Sequence, residues 1–122
     1  MKRRYFLQRV AAVIAAAAFP AAATFMWFGT AIAKPRTHRI EIGDFRFTPD
    51  STEASPGDTI TWINLDITPH TATASDGSWD TGELVKGAEA SIAVTAEMAS
   101  DYFCAFHPMM KAQLSINKSA IR

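Results

Sequence analysis

A chain of 122 residues with 12 basic and 12 acidic side chains, 48% hydrophobic and holding a single Cys, has room for one domain and is neither a disordered tail nor a disulfide scaffold. The charge is unevenly spread: residues 1–33 carry Lys2, Arg3, Arg4 and Arg9 and no acid, which leaves 8 bases against 12 acids, a net charge of −4, on the other 89 residues. A small acidic domain argues against nucleic acid as a partner.

The chain opens with MKRRYFLQRV, runs through an alanine-rich apolar stretch from Val10 to Ala33, and closes that stretch with Ala31-Ile32-Ala33 before Lys34. Basic, then apolar, then small residues is the order of a bacterial export signal. Within it, Arg3-Arg4-Tyr5-Phe6-Leu7-Gln8 resembles the twin-arginine motif, which routes folded proteins across the membrane. The apolar stretch is also long enough to span a bilayer. Alanine dominates it and Pro20 interrupts it, so cleavage after Ala33 is the expectation and a retained anchor the alternative. Either outcome places a single domain, residues 34–122, in the periplasm.

From Thr37 the pattern has period two, with Ile40 and Ile42 on one face and Arg39 and Glu41 on the other, which predicts a half-buried strand. Phe45 and Phe47 alternate around Arg46 until Pro49-Asp50 breaks the run, and Ser55-Pro56-Gly57-Asp58 is a turn by composition. Thr59 to Leu65 is dense in β-branched and aromatic residues and predicts a strand. Further strands are predicted over Thr71–Ala74, Ser91–Thr95, Ser100–Phe106 and Ala112–Asn117, with Tyr102, Cys104 and Phe106 on one face. A short helical turn over Glu97–Ala99 is an alternative within the helix-forming residues there. Seven or eight short strands with frequent turns predict an all-β, antiparallel sandwich.

An 89-residue domain is small for a self-sufficient core, so a disulfide or a metal is expected to supplement it. With Cys104 alone no intramolecular disulfide forms. Its neighbours point instead to a metal: Cys104-Ala105-Phe106-His107-Pro108-Met109-Met110 supplies a thiolate, an imidazole and a thioether where a strand ends. These soft and borderline donors suit copper rather than calcium or magnesium. His70, in Pro69-His70-Thr71, is the candidate fourth ligand from elsewhere in the chain. Two His, one Cys and a distant Met form a blue-copper electron-transfer set. His38 has no partner in the motif and reads as an ordinary hydrogen-bonded polar residue.

Residues 38–117 resemble a cupredoxin, nearest the amicyanin and plastocyanin branch. The resemblance rests on the spacing of Cys104, His107, Pro108 and Met110, and on Trp62-Ile63-Asn64 followed by Pro69-His70. It implies a Greek-key sandwich with His70 and His107 as nitrogen ligands, Cys104 as the thiolate and Met110 as the weak axial sulfur. Met109, the competing thioether, is then an exposed apolar contact. Thr71 would tie the two ligand loops by a hydrogen bond, and Phe106 departs from the proline that amicyanin has between Cys and His. The resemblance further implies an electron port at the edge of His107, ringed by an apolar patch of Pro69, Phe106, Pro108 and Met109.

Asp76-Gly77-Ser78-Trp79-Asp80 is faintly like a calcium loop but lacks the ligand register, and reads as a solvated hairpin loop. Asn117-Lys118-Ser119 matches a glycosylation sequon, which a bacterial export signal makes uninformative. Four protein ligands leave no open position for a substrate, so the expected function is one-electron transfer and not catalysis. The expected partners are transient redox proteins, a dehydrogenase or cytochrome as donor and a cytochrome or reductase as acceptor, and the chain is expected to be a monomer. A periplasmic Cu(I) carrier or buffer using the same ligands is the alternative.

Overall fold

A computed structural model describes residues 34–120 of the chain. The export signal read from the sequence lies outside these residues. Eight strands follow in order: β1 (Thr37–Gly43), β2 (Arg46–Thr48), β3 (Ser51–Ala54), β4 (Thr59–Asn64), β5 (Thr73–Ala74), β6 (Glu89–Ala93), β7 (Asp101–Cys104) and β8 (His107–Ile116). A single 3-10 turn, Lys118–Ala120, ends the described chain. Among the described residues no helix is long and apolar enough to cross a membrane. The helical alternative at Glu97–Ala99 resolves as one tight turn, in which the Met98 N–H donates to the Thr95 carbonyl at 3.3 Å.

The strands form two four-stranded sheets, ordered β2-β1-β4-β6 and β3-β8-β7-β5. From β2 to β7 every connection crosses from one sheet to the other, so the apolar face of each sheet is covered by the other. The sandwich expected from sequence is present, but its sheets are mixed: β1 runs parallel to β4, and β3 parallel to β8. Parallel neighbours require a connection that leaves the sheet and returns, and here the returning chain supplies strands to the opposite layer.

Alternation sets the core. Ile40 and Ile42 of β1, Ile60 and Trp62 of β4, Tyr102 and Cys104 of β7, and Leu114 of β8 all point inward and are buried. Trp62 stacks on Trp79 with ring centroids 5.3 Å apart, and Tyr102 meets Trp62 edge-on at 5.7 Å. The Tyr102 hydroxyl and the Trp62 indole N–H are both buried, and burial pushes the phenol pKa up to about 12.

Two local predictions change. Phe45 is not part of a strand: Asp44 and Phe45 are the two central residues of the β1–β2 hairpin turn, with φ of 51° and 56°. Two-residue hairpins whose central residues both have positive φ match the twist of the flanking strands, and only Phe47 of the phenylalanine pair enters the core. Phe106 does not share a face with Tyr102 and Cys104, because β7 stops at Cys104 and Ala105-Phe106 turn the chain into β8. Its side chain is left 52% exposed.

The segment before β1 is fastened to the β3–β4 turn by Asp58. Its carboxylate accepts from the Arg36 N–H at 2.9 Å, from the Ser55 N–H at 3.0 Å and from His38 Nε2 at 2.8 Å. His38 is thus a hydrogen-bonded polar residue, as its sequence context suggested. Burial works to raise the Asp58 pKa, but the hydrogen bonds from Arg36, His38 and Ser55 and the His38 charge outweigh it and hold the carboxyl below its ordinary value. A depressed folded-state pKa stabilises the fold above the unfolded value of about 4 and is lost as pH falls through the folded value. Asp58→Asn should therefore cost about 1–3 kcal/mol at pH 7, and the gap to the parent should narrow below pH 4. Urea unfolding at pH 7 and pH 3 measures both; an equal gap at the two pH values would contradict the assignment.

Candidate metal centre

The site is built at one end of the sandwich from the loop after β4 and the hairpin between β7 and β8. Asn64 closes β4 pointing inward and is fully buried. Its Nδ2 donates to the carbonyls of Thr68 at 2.9 Å and Leu84 at 2.7 Å, and its Oδ1 accepts from the Asp66 N–H at 3.0 Å. One side chain thereby shapes the loop that delivers His70. A two-way bridge fixes His70 in place: its N–H donates to the Leu84 carbonyl at 3.1 Å, and the Leu84 N–H donates back at 2.7 Å.

Asp66 then sets the orientation of the His70 ring. Its Oδ2 lies 2.8 Å from His70 Nε2. Because an ionised carboxylate only accepts, Nε2 carries the ring proton and Nδ1 presents a lone pair. That nitrogen faces Cys104 Sγ at 3.6 Å. The same carboxylate accepts the N–H groups of Asp44 at 2.9 Å and Phe45 at 3.1 Å, anchoring the β1–β2 turn. Burial tends to raise its pKa, yet the bonds from Phe45, His70 and Asp44 hold it below the ordinary range.

Cys104 is fully buried at the end of β7 and accepts a hydrogen bond from the Thr71 N–H at 3.4 Å. His107 begins β8, pairs directly with Cys104 in the ladder, and brings its Nδ1 to 3.7 Å from Sγ. The ligating atoms of His70, Cys104 and His107 all lie within 4.8 Å of one another, the first two buried and His107 partly exposed. Thr71 joins the two loops, since its Oγ1 accepts from the Ala105 N–H at 2.8 Å.

Met110 and Met109 part company by strand parity. Met110 faces inward with Ala112 and Leu114 and is 6% exposed, whereas Met109 is 89% exposed. Both line a shallow depression with Phe45, Phe106, His107 and Pro108. Of the expected apolar patch, Phe106, Pro108 and Met109 are exposed and Pro69 is half-buried. Sequence reasoning missed Phe45, which is 50% exposed and meets the rings of His70 and His107 edge-on at 5.2 and 5.0 Å. It also gave Asp66 no role. A carboxylate four residues before a ligand histidine is a signal of sorts, but in a loop that spacing does not dictate contact.

The donor atoms fit a single ion. Metal bonds of about 2.0 Å to nitrogen and 2.3 Å to sulfur, meeting at about 115–120°, separate N and S by about 3.6–3.7 Å, which are the distances found. Two imidazoles and a thiolate brought within 4.8 Å of one another favour copper. The Asp76–Asp80 loop does not compete: Asp76 Oδ1 accepts from Ser78 and Asp80 Oδ1 from Gly82 and Thr73, and the converging ligand group among the described residues is His70, Cys104 and His107.

Two nitrogens and a thiolate converging at one end of an eight-stranded sandwich define a small copper protein. The chain belongs to the plastocyanin/azurin family of copper binding proteins, whose sequence model matches residues 36–117. Among solved structures, a reduced amicyanin variant superposes with a TM-score of 0.58 at 24% identity, over 66% of this chain and 82% of that one. An oxidised amicyanin variant gives 0.61 at 22%, over 66% and 81%. A purple cupredoxin from Nitrosopumilus maritimus gives 0.59 at 23%, over 66% and 99%. No curated protein matches at a significant level. The fold is that of a cupredoxin and its cofactor is one copper ion.

Proposed function

We propose that residues 34–122 form a blue copper protein that shuttles single electrons in the periplasm, with His70, Cys104, His107 and Met110 as the ligands. The observation that carries this reading is the convergence of His70 Nδ1, Cys104 Sγ and His107 Nδ1 within reach of a single ion. Bound copper supplies a one-electron couple. The protein's part is to hold the ligands still. Asp66 keeps the proton of His70 on Nε2, the Thr71 N–H donates to the thiolate, and the strand pairing of Cys104 with His107 fixes their spacing. Ligands that need not move between oxidation states keep reorganisation small.

His70 and Cys104 are buried, so the partly exposed His107 is the port for the electron. Phe106, Pro108, Met109 and Phe45 surround it with apolar surface. A small apolar patch suits brief encounters with redox proteins of either role, donor or acceptor, made by a monomer. No position is left for a substrate, so the domain works as a carrier of electrons and not as an enzyme.

The test is the visible spectrum of the protein with one equivalent of Cu(II), then reduced and reoxidised. An intense band that bleaches and returns is expected from thiolate ligation. A colourless product that binds only Cu(I) and loses it readily would replace the electron shuttle with the copper carrier. Residues 1–33 are proposed as the twin-arginine-type signal that takes the domain to the periplasm. Mass spectrometry of the native protein should find Lys34 at its start, and a chain still bearing residues 1–33 would mean a membrane anchor instead.

A further inference from the structure

The Ala105 amide is the end of a longer chain of hydrogen bonds than the one between the two ligand loops. Thr71 Oγ1, which accepts from Ala105, lies 2.9 Å from Thr73 Oγ1, and the Thr73 hydroxyl donates to Asp80 Oδ1 at 2.9 Å. As a carboxylate, Asp80 has no proton to give, so the Thr73 hydroxyl must spend its single proton there. Thr73 Oγ1 can then only accept, which obliges Thr71 to donate to it. With that proton committed, Thr71 Oγ1 turns its free lone pair to the Ala105 N–H. Every link points the same way, from the Cys104–His107 turn outward to the carboxylate.

We propose that Asp80 is a positioning residue for the turn that joins Cys104 to His107, acting through the hydroxyls of Thr73 and Thr71. Chains of aligned hydrogen bonds polarise one another and strengthen each link. The far end is well held for a surface group. Asp80 Oδ1 also accepts the Gly82 N–H at 3.0 Å, and Thr81 clasps Ala72 in both directions, by backbone N–H to carbonyl at 3.0 Å and by its Oγ1 accepting the Ala72 N–H at 2.9 Å. At the near end, Ala105 is one of only two residues between Cys104 and His107, whose donor atoms stand 3.7 Å apart. A loop read from sequence as mere solvated punctuation thereby orients two candidate ligands from the surface.

Only the last readout below rests on the copper reading given above; the others need no metal. The test measures amide hydrogen exchange at Ala105 in the metal-free protein for Asp80→Ala, Thr73→Val and the double variant. Each single change should speed exchange about three- to tenfold, and the double variant should exchange no faster than either, because both cut one chain. Asp80→Asn keeps a neutral acceptor and should restore most of the protection. In the Cu(II) protein, Asp80→Ala should shift the midpoint potential by about 30 mV, which is a threefold change in the ratio of affinities for the two oxidation states. Unchanged Ala105 exchange in Asp80→Ala, additive effects in the double variant, or an unmoved potential in a protein that does bind copper would each overturn the proposal. A protein that fails to bind copper while the amide pattern appears would defeat the reading of the site and leave the hydroxyl chain supported.

Discussion

Replacing Cys104 with serine should abolish the intense visible band of the Cu(II) protein and weaken copper retention by well over about 100-fold. Removing groups that merely support a metal ligand already costs 10–100-fold in affinity, and here the ligand itself is lost. The fold should survive, because a serine hydroxyl in the same buried place can still accept the Thr71 N–H that Sγ accepts. Far-ultraviolet circular dichroism checks the fold and equilibrium competition with a chelator checks the affinity. Met110→Leu extends the series: a near-isosteric change at a buried position costs less than about 1.5 kcal/mol, yet should shift the spectrum and the potential. Met109→Leu, at the exposed neighbour, should leave both unchanged. The opposite result for the two methionines would reassign the axial sulfur, and an intact band in Cys104→Ser would refute thiolate ligation.

The second large effect is expected on stability. Asn64→Leu should lower the melting temperature by roughly 8 °C or more. The change orphans the carbonyl of Thr68 and the N–H of Asp66, and takes from the Leu84 carbonyl one of its two donors, the other being the His70 N–H. Buried groups left unsatisfied cost about 1–3 kcal/mol each, so the two approach about 2 kcal/mol at the least, and each kcal/mol moves the midpoint of so small a domain by about 4–8 °C. The same change should loosen His70 and slow copper uptake. A fall of less than about 3 °C by calorimetry would mean that water or a shifted loop replaces all three bonds.

How much of this could be read from the sequence depends on how local each feature is. The thiolate, imidazole and thioether sit within seven residues on a strand end, so their spacing alone announces a soft metal site, and the apolar alternation of Ile40, Ile42, Ile60 and Trp62 announces the core. Pairing is different. Nothing near Thr37 says that it lies opposite Thr59 and runs parallel to it, because that choice is made by the packing of all the strands together. Phe45 was misplaced for a related reason. A bulky residue with positive φ is disfavoured by roughly 1–3 kcal/mol, and what offsets that cost here is the carboxylate of Asp66, 21 residues further along the chain. The hydroxyl chain from Asp80 to Ala105 also joins residues that no short motif connects.

The position of β8 inside its sheet bears on how the protein is made. Synthesis delivers β3 and β7 before β8, yet in the finished sheet β8 stands between them and pairs with both. Until it emerges, β3 has no partner strand in that sheet, and Cys104 has neither His107 nor Met110 beside it. A nascent or truncated chain ending at Phe106 would thus expose the strand edges most prone to self-association and hold half of the donor set. The last strand to be made closes the barrier against aggregation and completes the copper site in the same event.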